Sequence, residues 1–318
     1  MPDQLQIKWK LIIRWAGTLL SVLLLVYLVL TAGLDEIIQS LEKLSFGTIV
    51  AIIGLILLSR IATFLRWHVL LQIDRDNVNW RDSLRLTFAG LFAANFLPST
   101  VGGDVVRLAG AMRIGMSGSL AAASLIVDRL IGMAGMAFAL PFGITPMITI
   151  LKSEQSPLPG LLQNMAVILR LKGFWSKAKT SIQKVIHALS FWYRHPKYFI
   201  YAFIFTFIHM LCIFLIIHLL IVDMGESLSF WKIAGLWSAT YFITLIPISI
   251  NGLGLQELSI TSIFQVFGGL SHATSLSIAL ICRALWIIGS FPGAFFVSSI
   301  LSGETYSKIT REQQEDLN

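Results

Sequence analysis

Apolar residues run in long blocks separated by short polar segments, and these blocks predict the elements. They cover Leu11 to Ala32, Phe46 to Ile73, the stretch after the 74–85 loop up to Leu97, Leu120 to Leu140, 198–222, 229–246 and Ala273 to Leu301. A bilayer's hydrocarbon core takes about 20 helical residues, so blocks of this size predict membrane spans. Residues 141–170 do not resolve into an element: Pro141, Pro146, Pro157 and Pro159 interrupt them, and the run from Leu161 to Leu171 is short for an untilted span. A hairpin and an interfacial segment both fit. The expected fold is an all-α polytopic bundle of about seven to eight spans.

Two of the blocks end in breaks that resemble one another. The first reads Phe96-Leu-Pro-Ser-Thr-Val-Gly-Gly-Asp-Val-Val-Arg-Leu108, the second Leu245-Ile-Pro-Ile-Ser-Ile-Asn-Gly-Leu-Gly-Leu-Gln-Glu257. Proline lacks a backbone donor and glycine tolerates positive φ, so Pro98, Gly102 and Gly103, and Pro247, Gly252 and Gly254, predict that a helix stops and restarts. Irregular backbone at membrane depth persists only where it is buried in protein or lines a wet cavity. Paired breaks in two halves point to a transport site. The surroundings match too: Trp80-Arg81 and Trp231-Lys232 open the preceding segments, and Arg129 and Arg283 fall in the following ones. The expected plan is one transmembrane domain over 1–318, with repeat halves at 46–150 and 197–301 and a polar tail at 302–318.

Charge placement orients these elements. Loop 33–46 is acidic apart from Lys43, and the turn Asp223-Met-Gly-Glu226 has no Lys or Arg; both fit the outer face. Loop 74–85, with Arg75, Arg81 and Arg85, fits the cytoplasm, as does the N-terminus. The first break then falls near the outer side and the second near the cytoplasmic side, making the repeat inverted. Between Glu154 and Asp223 there is no acidic residue, and Trp175, Ala178, Ile182, Val185, Ile186, Leu189 and Trp192 recur at helix-face spacing. Segment 171–196 is therefore either an amphipathic basic helix on anionic headgroups or a loop obeying the positive-inside rule. A signal peptide's apolar region spans about 7–15 residues, so Leu11 to Ala32 reads as an uncleaved anchor in a multi-pass inner-membrane protein.

Composition agrees. The 318 residues are 56% hydrophobic and 13% charged, against about 25% charged in soluble domains. The net charge of +7 sits in loops beside the spans, which favours topology and anionic lipid over nucleic acid. Cys212 and Cys282 have no metal-ligand spacing and read as small buried hydrophobes; no metal or cofactor is expected. Nothing in the chain sets an oligomeric state.

Seven ionisable residues are expected at membrane depth: Arg60, Asp104, Arg107, Asp128, Arg129, Glu257 and Arg283. A charge facing lipid at mid-bilayer costs at least ~2.5–3.5 kcal/mol, so these should face protein or water and mark a substrate site. Arg66 and Trp67 are expected to snorkel to the inner surface. Asp104 has a second reading as a helix N-cap. Asp128 and Arg129 lie about 100° apart on a helix, so at least one should pair with another element, with the restarted helices as natural partners. Structural ion pairing is the alternative for the whole set.

At these residues the chain resembles the lysylphosphatidylglycerol synthase transmembrane region, also called a flippase-like domain. The resemblance rests on Asn95-Phe-Leu-Pro-Ser-Thr-Val-Gly-Gly-Asp-Val-Val-Arg107, Asp128-Arg-Leu-Ile-Gly132, the looser Gly252-Leu-Gly-Leu-Gln-Glu257, and the upstream Arg60 and Arg66-Trp67. It implies a lipid-handling membrane module with an anionic lipid as partner, without the aminoacyl-transferase domain of full-length members. A flippase and a non-transporting partner that presents lipid to a separate lipid-modifying enzyme both fit. A further class is an intramembrane serine protease: Gly115-Met-Ser-Gly118 has the Gly-x-Ser-Gly form, with Ser117 as nucleophile. Short motifs match by accident, and a serine that opens a helix explains Ser117 as well.

Overall fold

A computed structural model describes residues 38–39, 42–73, 78–97, 102–143, 196–245 and 252–297. The expected span at Leu11 to Ala32, the residues Pro98 and Pro247, the segment 144–170, the amphipathic stretch up to 195 and the tail 302–318 lie outside the described residues. Eight α-helices carry the fold, with no strand among the described residues. They are α1 (Phe46–Leu71), α2 (Trp80–Ala94), α3 (Gly102–Arg113), α4 (Gly118–Ala139), α5 (Pro196–Asp223), α6 (Phe230–Thr244), α7 (Leu255–Ile263) and α8 (His272–Ser290).

Their lengths follow one order twice: long, short, short, long. Helices α1, α4, α5 and α8 belong to runs of 26, 26, 28 and 26 residues, apolar enough to cross a membrane. Helices α2 and α6 have 15 residues each, about 22 Å at 1.5 Å per residue. That is less than the roughly 30 Å of a bilayer core, so the blocks read as spans from the 74–85 loop to Leu97 and at 229–246 contain helices that stop short. The starts of the long helices are chemically marked. Ser45, Ser117 and Ser271 cap α1, α4 and α8 by accepting from Thr48, Leu120 and Thr274 N–H, and Pro196 opens α5, where its missing N–H is no loss.

Helices α1 and α5 pack along one another in opposite senses. At one end Ser45 N–H donates to Asp223 Oδ2 at 2.8 Å; at the other, Tyr198 Oη donates to the Gln72 carbonyl at 3.4 Å. Helix α2 begins at the Gln72 end, where Ser83 bonds His68 at 2.8 Å. Helix α6 begins at the Asp223 end after a short turn. The remaining contacts come in matching pairs: α2 on α3 and α6 on α7, α4 on α5 and α8 on α1, α3 on α4 and α7 on α8. The C-terminal extension of α4 reaches α6 and that of α8 reaches α2, where Gly143 meets Gly235 and Gly293 meets the Phe88 carbonyl.

The outer surface is apolar. Phe46, Ile53, Leu57 and Ile61 on α1, and Ile200, Ile204, Phe207 and Leu211 on α5, are exposed at helical spacing. Stripes this long exceed the scattered apolar positions of a water-facing monomer and suit a lipid boundary. Trp80 and Trp231, the first and second residues of the two 15-residue helices, are also exposed, as expected of aromatic anchors at headgroup depth.

The turn after α5 is stapled to the start of α8. Glu226 accepts from the Ser271 N–H at 3.1 Å and from its Oγ at 2.7 Å. Burial alone would raise the Glu226 pKa, but the bonds from Thr274 and Ser271 outweigh it and hold the carboxyl below its ordinary range. A depressed folded pKa contributes stability above the unfolded value, near ~4.3 for Glu, and loses it as pH falls through the folded value. Thermal unfolding in detergent should therefore show a drop below about pH 4 that Glu226→Gln removes; an identical acid profile in the variant would deny the staple this role.

Candidate functional site

Buried charge converges on the first four helices. Asp128, at mid-length of α4 and 2% exposed, accepts from Arg66 of α1 (Nε to Oδ1, 2.7 Å) and Arg107 of α3 (Nη1 to Oδ2, 3.2 Å). Arg107 also reaches Asp104, three residues earlier on its own helix, at 3.2 Å. The second Asp104 oxygen accepts from Arg129 Nε of α4. Asp128 and Arg129 thus diverge to different partners, as their 100° separation requires. Three arginines and two aspartates leave this network with a charge of +1. Its packing is equally specific: the Arg107 guanidinium lies 4.0 Å from the Trp67 ring centroid, and Trp67 Nε1 donates to Ser124 Oγ at 3.1 Å. Gly132, one turn beyond Asp128, leaves room for Arg66, whose Nη1 lies 3.3 Å from where a Cβ would stand.

Among the described residues, the second four helices hold one counterpart. Glu257, the third residue of α7 as Asp104 is of α3, accepts from Arg283 Nε of α8. The partners are 26 residues apart, against 25 for Asp104 and Arg129. The other Glu257 oxygen accepts from the Gly254 N–H at 2.6 Å, satisfying one free donor at the helix start. Cys282 occupies the place of Asp128.

Between the two sets lies a cavity of about 280 Å³. Its wall includes the C-terminal residues of α2 (Leu91, Ala94, Asn95), Thr244 at the end of α6, Gln256 at the start of α7, and mid-helix Arg60, His209 and Arg283. Asn95 Nδ2 donates to Ser290 Oγ of α8 at 2.8 Å, tying the end of α2 to the second set. His209 bonds Ser59 Oγ at 2.8 Å. Arg60 is the exception to pairing. It is 7% exposed, its Nε is buried without a hydrogen-bond partner, and among the described residues no carboxylate meets it. It packs against Gly289, where a Cβ would come within 3.0 Å of Nε. A buried charge is retained only with compensation, so an unpaired guanidinium on a cavity wall marks a place for an anion.

The sequence expectations fare unevenly. Arg60 and Arg283 share the cavity, and Glu257 stands behind Arg283. Asp104, Arg107, Asp128 and Arg129 form the neighbouring network instead. Arg66 and Trp67 do not snorkel: Trp67 is fully buried and Arg66 is bound to Asp128. Six residues apart on a helix, Arg60 and Arg66 face directions some 120° apart, and the sequence does not say which of those faces protein. Asp104 is not an N-cap; α3 starts two residues earlier, and the carboxylate lies in the first turn with both oxygens given to arginines. Gly102 and Gly103 are helical rather than left-handed. Their small size serves close approach, since a Cβ on Gly103 would lie 2.3 Å from the Gly90 carbonyl oxygen. Gly252 and Gly254 do adopt positive φ, 69° and 77°. Residues bordering both breaks, Ala94 and Asn95 before the first and Thr244 and Gln256 around the second, line one cavity. Ser117 caps α4 by accepting from the Leu120 N–H, and His209 and His272, two histidines that could have served such a nucleophile as base, bond Ser59 and Gln265 instead. Cys212 and Cys282 are buried free thiols.

Four apolar spans among the described residues, an apolar exterior and ion pairs buried between helices define a multi-pass membrane protein of the helical-bundle class. The chain belongs to the lysylphosphatidylglycerol synthase transmembrane region family, whose model matches residues 14–293. No curated protein sequence matches it. The family is a membrane domain, in keeping with a lipid-related membrane function.

Proposed function

We propose that the protein translocates a lipid with an anionic phosphate headgroup between leaflets of the inner membrane, its N-terminus cytoplasmic. The observation that carries this reading is Arg60: a mid-membrane cation with no acidic partner among the described residues, facing a cavity walled by both broken helices. A guanidinium grips phosphate oxygens in two places and stays charged. The cavity, at about 280 Å³, lies just below the roughly 300–1,000 Å³ typical of ligand pockets. It suits a headgroup, while acyl or polyprenyl tails remain in the bilayer.

The helix pattern supports the same reading. The hairpins α2–α3 and α6–α7 act as re-entrant elements, and α1–α4 and α5–α8 as inverted repeats. The antiparallel α1–α5 pair, the twofold matching of helix contacts and the equivalent Asp104–Arg129 and Glu257–Arg283 pairs all favour this. Inverted repeats around a midplane site permit alternating access by rocking one half against the other.

Reconstituted protein in liposomes with a tail-labelled anionic phospholipid tests the proposal. Arg60→Gln should slow transfer about tenfold or more, because a charge-assisted bond to phosphate is lost at low dielectric, while the folded fraction in detergent stays the same. Equal transfer by folded Arg60→Gln would remove Arg60 from the path. Lipid binding without any transfer by the wild type would favour the lipid-presenting role instead.

A further inference from the structure

Resting on that reading of the cavity, we infer that His209 contacts the same anion as Arg60 and takes up a proton when the anion binds, so that anion and proton cross together. The ring is fixed through one of its two nitrogens. Thr63 Oγ1 gives its only proton to the Ser59 carbonyl at 2.9 Å, so toward the ring it can only accept. The 3.3 Å bond between Thr63 Oγ1 and His209 Nδ1 therefore places a hydrogen on Nδ1, which also meets Ser59 Oγ at 2.8 Å. In the neutral ring Nε2 is then the acceptor. Nδ1 is turned to α1 while His209 lines the cavity, which leaves Nε2 as the ring nitrogen that can meet a ligand. A structural tie between α1 and α5 needs only the first of these nitrogens.

The charges around the ring supply the coupling. Helices α1, α4, α6 and α8 pack against α5. The titratable groups they bring to the ring or its cavity are Arg60 and Arg66 from α1, Asp128 from α4, Tyr241 from α6 and Arg283 from α8. Arg66 is bound to Asp128 and Arg283 to Glu257, whereas Arg60 meets no carboxylate among the described residues. With the cavity empty, a proton on Nε2 would put a second cation on the wall that holds Arg60. An anion at Arg60 reverses the sign of that interaction and accepts a charge-assisted hydrogen bond from the imidazolium. Linkage is reciprocal: an anion that draws a proton onto His209 is itself held more tightly by the protonated protein. Histidine suits the task because it is the side chain whose ordinary pKa falls between about 5 and 8. The proton comes from water on the side where the anion enters and returns to water where the anion leaves. A pH difference across the membrane then drives transfer toward the alkaline side.

Calorimetry with short-chain phosphatidylglycerol and the detergent-solubilised wild type tests the linkage. The probe is a phosphodiester, which lacks the second ionisation of a monoester near ~6, so a proton bound with it goes to the protein. Titrations in two buffers of different ionisation enthalpy should show up to about one proton taken up per lipid, and Kd should weaken by up to about tenfold per pH unit above ~6.5. His209→Asn keeps an amide N–H for Ser59 and Thr63 and removes Nε2. Its Kd should be independent of pH and match the weak alkaline limit of the wild type, with no proton taken up. In proteoliposomes, acidifying the outer solution should raise inward transfer of tail-labelled phosphatidylglycerol by up to about tenfold per pH unit in the wild type and leave His209→Asn unchanged.

Proton uptake by the wild type needs no His209 variant. Its absence from a binding that Arg60→Gln weakens overturns the inference and leaves the anion site standing. Proton uptake that persists in folded His209→Asn puts the proton on another group and overturns it as well. Wild-type transfer that ignores the pH difference overturns joint crossing. Proton-linked binding without any transfer overturns translocation and leaves the His209 assignment supported. If soluble glycerophosphoglycerol binds as tightly as the lipid, with the same proton, the ligand is a free phosphodiester; the lipid reading falls and His209 keeps its role. Should short-chain phosphatidylglycerol show no binding that depends on Arg60, the anion site falls and the inference with it.

Discussion

Asp128→Asn should destabilise the protein by about 3–5 kcal/mol, the range seen when one partner of a buried ion pair is removed. Among the described residues Asp128 is the only carboxylate that reaches both Arg66 and Arg107, and it is 2% exposed. Without it, two guanidinium groups from α1 and α3 remain beside α4 with one aspartate, Asp104, for three arginines. Thermal unfolding in detergent measures the loss. Adding Arg66→Gln to the variant should restore part of it, since contacting residues couple by about 0.5–3 kcal/mol. An Asp128→Asn protein that melts with the wild type would mean the network is held by packing alone.

Gly103→Ala should also be disruptive, for a steric reason. The new Cβ would stand 2.3 Å from the Gly90 carbonyl oxygen and 3.1 Å from Ala94 Cβ. The nearest obstacle is helix backbone, which cannot swing aside as a side chain would. Helix α3 must shift away from α2, carrying Asp104 and Arg107 with it. Overpacking of this kind costs about 1–3 kcal/mol or more, and the break at the cavity edge should widen. Gly54→Ala is the control: it lies inside α1 with nothing within 4 Å of the added atom, so helix propensity should make it stabilising by up to about 1 kcal/mol. If the two variants have equal melting temperatures, close approach of α2 and α3 does not limit stability.

Much of this architecture is written in local sequence. Membrane class, the long helices and the two interruptions follow from apolar run length and from proline and glycine, whose effects act within a few residues. Asp128 and Arg129 had to diverge because adjacent helical residues point 100° apart, and they do so, to Arg66 and Arg107 and to Asp104. Polar residues inside apolar blocks likewise flagged Arg60, Glu257 and Arg283 without any knowledge of packing.

Depth and partnership depend on distances between segments far apart in the chain. Whether Arg66 snorkels or turns inward depends on Asp128, 62 residues away. Whether Gly103 serves a turn or a close approach depends on the Gly90 carbonyl it packs against. The ends of α2 and α6 come to one cavity because each helix is about 22 Å long and starts from an opposite end of the bundle, where α1 and α5 lie antiparallel. Among the described residues Arg60 meets no carboxylate, because those of α3, α4 and α7 are committed to Arg66, Arg107, Arg129 and Arg283. Residue types and spacing supply the charges; the assembled bundle selects which one meets no carboxylate among the described residues.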